Sequence, residues 1–382
     1  MSPPAAVAVV YSRAVTAPGP PLSYRAAGVL DNTQLGLAGL LGWINRTATF
    51  REGRTGRRVV EAGFFASVVD IGHDLGLVLC TDGVGSKVLV AEMLQRYDTI
   101  GVDCVAMNVN DAICVGAEPI SFLDYIAVER ASPRVLEEIA RGLYHGAELA
   151  AVAIVGGEIS QTPEIIKGHA PGQGLDLVGM CAGIVPLDRV ILGRDVVPGD
   201  VVVGVRSSGV HSNGFTLARK ALFEQGGLRP DQHVGELGGT VGEELLRPTH
   251  IYVRPVVDLL HRQRVPVRAL AHITGDGLLN LARIAAPVGF RLDDLPPPPP
   301  VFDLIQKHGG VAAAEMYRVF NMGIGFCIVV PPEGSAVSAV EDTFRAHGFA
   351  ARPIGTVVAD ERKRVLLTGP GLVGEGDEFR EG

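Results

Sequence analysis

Short apolar runs that end in glycine-rich polar turns constrain this chain more than any other feature. Leu75-Gly76-Leu77-Val78-Leu79-Cys80 reads as a buried strand, and it runs directly into Thr81-Asp82-Gly83-Val84-Gly85-Ser86-Lys87. A strand that ends in Asp, two glycines and Lys sets a carboxylate and an ammonium where backbone N–H groups can approach a ligand. Downstream, Asn108-Val109-Asn110-Asp111 places an amide and a carboxylate side by side on another element. Carboxylates near a Lys suit a magnesium–polyphosphate, because Mg²⁺ takes a few hard oxygen ligands plus phosphate. The pattern points to an ATP-using enzyme. No Gly-Lys dipeptide occurs, so a Walker loop is excluded, and Val88 breaks any dinucleotide fingerprint begun at Gly83-Val84-Gly85. Taken alone, the Asp82–Lys87 segment also reads as an ordinary tight turn with a solvated Lys.

At 382 residues the chain has material for two domains. Aromatic residues are 5%, while 49 Gly and 25 Pro favour a turn-rich α/β protein. The net charge of −8, with both signs interspersed, argues against a nucleic-acid groove and leaves room for a local anion pocket. Five scattered cysteines with no C-x-x-C read as reduced core residues of a cytosolic, cytoplasmic protein, not a zinc site. The apolar run Ala5–Val10 is too short for a secretory segment or a membrane span. Residues 1–23 are expected to form a disordered or extended arm.

The patterning predicts a short helix over Leu35–Ile44 and an exposed loop over 51–58. Strands follow at Phe64–Ile71 and Leu77–Cys80, joined by a Gly-His-Asp turn. A helix over Gly101–Ala117 carries Asn108 and Asp111 on neighbouring positions. Phe122–Val128 is a strand. Ser132 and Pro133 then serve as N-cap and first residue of a helix. Val152–Val155 runs into Gly156-Gly157-Glu158, and Leu175–Val185 closes the first unit. The domain boundary is set near residue 187, giving domains over 24–186 and 187–370. In the second half, Val201–Val205 is a strand, residues 215–224, 244–261 and 277–285 are helical, and Pro296–Pro300 is a stiff spacer. A charged tail over 371–382 is expected to fray from Gly374 onward.

Asp82, Asp103, Asn110, Asp111 and Glu158 close strands or open helices in the first half. Asp103 also reads as a capping or structural acid, and Asn110 and Asp111 as polar surface. Glu158, after a glycine pair at a strand end, is hardest to explain structurally. In the second half, Ser207–Gly214 gathers donors ahead of a helix, a natural phosphate site. His211 within it reads as a general base, a phosphate partner or a structural residue. His272-Ile273-Thr274-Gly275-Asp276-Gly277 repeats the pattern of a donor-rich turn before a helix.

Taken in order, these motifs resemble the phosphoribosylformylglycinamidine cyclo-ligase (aminoimidazole ribonucleotide, AIR, synthetase) family. The resemblance rests on Thr81–Lys87, Asp98–Asp103, Asn110-Asp111, Gly116-Ala117-Glu118-Pro119, Phe122-Leu123-Asp124-Tyr125 and Gly156-Gly157-Glu158. It continues through Ser207–Gly214, Pro248–Val253 and Glu315–Asn321, with Tyr24–Val29 similar to the family's N-terminal segment. It implies an α/β (α+β), two-domain PurM-like fold, with the N-terminal sheet pairing across a homodimer into a barrel and a C-terminal α/β sandwich. It implies ATP-dependent closure of formylglycinamidine ribonucleotide to an aminoimidazole, the fifth step of purine synthesis. Carried over by position, Asp82, Asn110, Asp111 and Glu158 would hold Mg²⁺. Asp82, Gly83, Gly85, Lys87, Asp103, Asn110 and Gly157 would contact ATP. Ser208, His211, Ser212, Asn213, Thr274 and Gly275 would face the ribonucleotide, with His211, Lys87 and Asp82 as the catalytic set.

Four departures from the family pattern bear on the ATP lid. Residues 61–66 replace a glycine-rich stretch, Ser86 replaces Thr, Ile159–Pro163 lacks one acid, and Asp276 stands where Gly is common. Other superfamily readings fit less well. A selenophosphate synthase would carry a reactive Cys near the N-terminus, whereas the first here is Cys80. Thiamine-monophosphate kinase and formylglycinamidine ribonucleotide synthetase share the acids but not the second-domain motifs. A non-catalytic nucleotide-binding paralogue is the alternative of a different class.

Overall fold

The strand-then-turn units of the first half assemble side by side into one sheet, and those of the second half into another. The computed structural model describes residues 20–29 and 32–382. The arm expected over 1–23 lies outside the described residues for 1–19. Its described end is docked: the Leu22 amide donates to the Gly309 carbonyl at 2.9 Å and the Tyr24 amide to Glu315 Oε1 at 2.6 Å.

The first domain begins with α1 (Asn32–Arg46), followed by β1 (Arg57–Arg58), β2 (Ser67–Gly72) and β3 (Leu75–Gly83). The β2–β3 hairpin turns on His73 and Asp74, both at φ 56°, as a two-residue hairpin requires. Then come α2 (Val88–Leu94), α3 (Asp98–Ile113), β4 (Glu118–Val128), α4 (Pro133–Ala150), β5 (Ala153–Gln161) and β6 (Leu175–Pro186). Ser132 stands at the N-cap of α4 with Pro133 in its first turn, but the expected side-chain cap hydrogen bond is not made. The strand order is β1-β2-β3-β6-β4-β5, antiparallel except for β4–β5, whose crossover is α4.

One face of this sheet is apolar because strand side chains alternate. On β6 the odd positions Leu175, Leu177, Cys181 and Val185 are buried beneath the helices. α3 and α4 cross in near backbone contact. A Cβ on Gly142 would lie 1.9 Å from the Asp98 carbonyl oxygen, and one on Gly101 2.4 Å from the Leu143 nitrogen. The opposite face carries Tyr125 and Met180, 41% and 36% exposed, and β5 is exposed along nearly its whole length.

The second domain carries β7 (Val201–Arg206), α5 (Phe215–Arg219), the short hairpin β8–β9 (His233–Val234, Gly239–Thr240), α6 (Val241–Leu245) and α7 (Val253–Val257). These are followed by β10 (Ala269–His272), β11 (Gly289–Leu292), α8 (Pro300–Gly309), α9 (Ala313–Val319), β12 (Ile324–Val330), α10 (Ala336–Ala346) and β13 (Ala351–Val358). Last come β14 (Val365–Leu367), β15 (Leu372–Glu375) and β16 (Glu378–Glu381). Its sheet runs β10-β12-β7-β13-β11-β14-β15-β16, and every residue of β12 is buried.

The tail is therefore not frayed. β15 and β16 pair antiparallel, and Phe379 is buried over Gly374, where a Cβ would meet the ring at 2.6 Å. The charged residues around it hid these apolar anchors from a compositional reading.

Candidate active site at the domain interface

Two carboxylates from the first domain meet where the domains join. β3 delivers Asp82 at its end, and α3 delivers Asp111 from its last turn. Asp82 Oδ1 accepts from the Gly83 amide at 2.7 Å. Even so, burial and then the Asp111 charge push the Asp82 carboxyl up to about 6, against the partial relief of that amide and of His272. A buried carboxylate whose ionisation a neighbouring carboxylate makes costlier is a group that a divalent cation relieves. Among the described residues no three His, Cys, Asp or Glu side chains gather as a closed metal cage. Mg²⁺ bound with a polyphosphate does not need one, since phosphate oxygens and water complete its shell.

Behind Asp82 the sheet forms a row that the sequence reading missed. Gly179 of β6 lies between Asp82 of β3 and Asp124 of β4, and Gly157 of β5 lies beyond Asp124. A Cβ on Gly157 would sit 2.5 Å from Asp124 Oδ1, so the glycine makes room for the acid. Burial raises Asp124 above the usual carboxylate range. The signal was present in Phe122-Leu123-Asp124-Tyr125, but a lone acid in a strand carries no local mark of its neighbours.

Several expected ligands are placed elsewhere. Lys87 Nζ, fully buried, lies 2.8 Å from Asp103 Oδ2 and donates to Asp103 Oδ1 (3.0 Å) and to the His211 (3.1 Å) and Arg247 (2.7 Å) carbonyls. An ammonium has three N–H bonds, and the protein occupies them all. Lys87 thus does not present its charge to a phosphate in this conformation; it ties α2 to the second domain. Asp103 completes the tie, its Oδ1 accepting from both the amide and the hydroxyl of Thr249 at 2.7 Å. Asn110 is also consumed: Nδ2 donates to the His250 carbonyl at 2.8 Å and Oδ1 accepts from the Tyr252 amide at 2.9 Å. Glu158 lies opposite Tyr125 on exposed β5, and the fold does not bring it into a common cluster with Asp82 and Asp111. Gly83 packs against the Leu177 carbonyl, whereas Gly85, at φ +67°, faces open space and leaves the turn's backbone accessible.

On the second-domain side, two expected loops converge. A Cβ on Gly275 would meet the Asn213 amide at 3.4 Å, and Thr274 is held by its amide donating to Asn280 Oδ1 at 2.7 Å. Ser208 Oγ donates to the Pro248 carbonyl at 2.6 Å, and Ser212 Oγ lies 3.3 Å from Thr249 Oγ1, so both serines serve the loop's own geometry. His211, at φ 65°, is buried, its Nε2 accepting from the Ser208 amide at 3.2 Å. Burial, then the nearby His250, His272 and Lys87, hold its pKa well below the ordinary range. It is enclosed inside the second domain and costly to protonate, a setting that does not favour the general-base role expected of it.

Two departures from the family pattern are bridged by one residue, Arg283. Arg283 donates to Asp276 Oδ2 at 2.6 Å and its guanidinium lies 5.3 Å over the Phe65 ring. Asp276 and the altered 61–66 segment therefore form one latch between the domains.

This fold and acid-lined interface define a two-domain α/β protein of the PurM-like class. Residues 64–185 match the model of the AIR synthase related protein, N-terminal domain, and residues 197–368 match that of the C-terminal domain. A phosphoribosylformylglycinamidine cyclo-ligase of Methanothermobacter thermautotrophicus is 47% identical over 337 residues, covering 88% of this chain and 94% of that protein. One from Pyrococcus furiosus is 48% identical over 313 residues, covering 82% and 89%. Among solved structures, the thiamine monophosphate kinase of Aquifex aeolicus superposes with a TM-score of 0.57 at 17% identity, over 89% of this chain and 98% of that one. The chain belongs to the phosphoribosylformylglycinamidine cyclo-ligase family, as its motif order implied.

Proposed function

We propose that this protein closes the imidazole ring of 5-aminoimidazole ribonucleotide from formylglycinamidine ribonucleotide at the expense of ATP. The observation that carries the reading is the 47% identity to a cyclo-ligase across both domains. An amide oxygen leaves poorly. Transfer of the γ-phosphoryl group to the formyl oxygen makes it a phosphate ester, the amidine nitrogen attacks the same carbon, and inorganic phosphate departs with the ring closed. A protein supplies such a reaction chiefly with positioning and preorganised charge. Asp82 and Asp111 would hold Mg²⁺, which neutralises polyphosphate charge when bound. The backbone of Gly83–Gly85 would lie along the phosphates. Asn213, Thr274 and Gly275 would border the ribonucleotide.

The open sheet face supports a homodimer, because an antiparallel sheet with an apolar uncovered face needs a partner layer. A second copy of the same face, centred on Tyr125 and Met180, would close the barrel the resemblance implies. No helix among the described residues is long and apolar enough to cross a membrane. The division into units of 24–186 and 187–370 is kept as part of this reading.

The test is ATP turnover with Mg²⁺, with and without formylglycinamidine ribonucleotide, alongside detection of the aminoimidazole. ADP release that depends on the ribonucleotide and matches product one-for-one is expected. Ribonucleotide binding without ADP release would instead identify a non-catalytic paralogue.

A further inference from the structure

We infer that His272 is a positioning residue that holds the Asp111 carboxylate for the nucleotide, so that the substrate-side domain orients an acid of the ATP-side domain. The inference rests on the reading of Asp111 as a magnesium–nucleotide ligand. His272 is the last residue of β10 and is fully buried; two residues later the same strand end supplies Thr274 and Gly275. Its Nδ1 lies 2.8 Å from Asp111 Oδ1, across the domain interface.

The direction of that hydrogen bond follows from its neighbours. The Asn110 amide is fixed in orientation, because Nδ2 donates to the His250 carbonyl and Oδ1 accepts from the Tyr252 amide. Asn110 Nδ2 is therefore the atom that faces His272 Nε2, at 3.5 Å. A nitrogen facing an N–H donor must be the acceptor of a neutral imidazole, which leaves the proton on Nδ1. His272 thus donates from Nδ1 to Asp111 and accepts at Nε2 from Asn110. Asp111 Oδ1 is held by this bond while its side chain keeps 18% of its surface open. A carboxylate oriented by a histidine behind it is the arrangement that tunes metal-bound acids, and loss of such a partner lowers metal affinity or activity about 10–100-fold.

A buried histidine also fills space, so the test separates shape from the hydrogen bond. Asn places a donor near the position of Nδ1 but is small; Phe fills the cavity but donates nothing. Affinity for the magnesium complex of a non-hydrolysable ATP analogue is measured by calorimetry, with KM for MgATP and for the ribonucleotide measured in parallel. His272→Phe is expected to weaken the nucleotide about 10–100-fold with little change in the ribonucleotide KM. His272→Asn is expected to stay within about threefold of the parent, as a retained donor should. Equal losses in the two variants, or parental affinity in His272→Phe, would overturn the positioning role. Asp111→Ala serves as the control on the underlying reading: parental nucleotide affinity in that variant sinks the metal assignment itself. A readout independent of any variant is the imidazole tautomer by ¹⁵N NMR, where an Nε2–H form of His272 would overturn the inference.

Discussion

Lys87 Nζ lies 2.8 Å from Asp103, and neither side chain is reached by solvent. The pair joins helices of the first domain to Thr249 and to two carbonyls of the second, so its removal should act on folding before it acts on catalysis. Breaking a buried ion pair from one side costs about 3–5 kcal/mol. Lys87→Met is expected to lose that much in urea unfolding, while whatever folds retains a near-parental KM for ATP. A stable variant with a strongly raised KM for ATP would restore the phosphate role the motif suggested.

The Asp82 carboxyl sets a pH dependence with an unusual sign. Its pKa lies at about 6 in the folded protein and 3.8 is its ordinary value. The folded state therefore holds the proton to higher pH than the unfolded chain. Stability falls as pH rises between about 4 and 6, and above that window the ionised group weighs against folding by up to about 3 kcal/mol. Without Mg²⁺ or nucleotide, Asp82→Asn should be the more stable protein at pH 8 and nearly level with the parent at pH 4, while losing ATP turnover. Equal urea midpoints at pH 8 would show that the carboxylate is not destabilising there.

Gly142 admits no side chain. Its Cβ would sit 1.9 Å from the Asp98 carbonyl oxygen at the start of α3, and neither helix backbone can yield without spreading the α3–α4 crossing. Gly142→Ala should cost about 1–3 kcal/mol or more of stability in urea unfolding. A parental melting temperature would contradict the crossing.

The uncovered sheet face predicts the assembly. Introducing Tyr125→Lys and Met180→Lys together places two charges where a second sheet would pack. Light scattering on the eluting protein should then shift from dimer to monomer. A monomeric parent would remove the basis for the barrel, and a dimeric double variant would move the interface elsewhere.

Much of the first domain was legible because its signals are local. Leu75–Cys80 is an apolar run leading into a turn rich in Gly, and Asn108 and Asp111 sit on helical spacing; both appear at those places as β3 and α3. The second-domain sheet was harder to read. Ala269–His272 and Gly289–Leu292 are four-residue strands with little alternation, and β13 carries Pro353 beside a register shift that a strand reading would reject. Asp124 and His272 went unassigned because what marks them is a cross-strand glycine and a facing carboxylate, neither adjacent in sequence.

The sequence by itself determined the family and the order of its motifs, since these depend on residue type and short spacing alone. Only the tertiary structure decided which polar groups remain free to act. Lys87, Asn110 and His211 carry the residue types of a reactive site, but their hydrogen-bonding capacity is taken up by, or enclosed within, segments distant in the chain. The physical reason is that a buried polar group must find partners wherever the fold brings them. Those partners, here the Arg247 and His250 carbonyls and the Tyr252 amide, are set by the packing of one domain against the other.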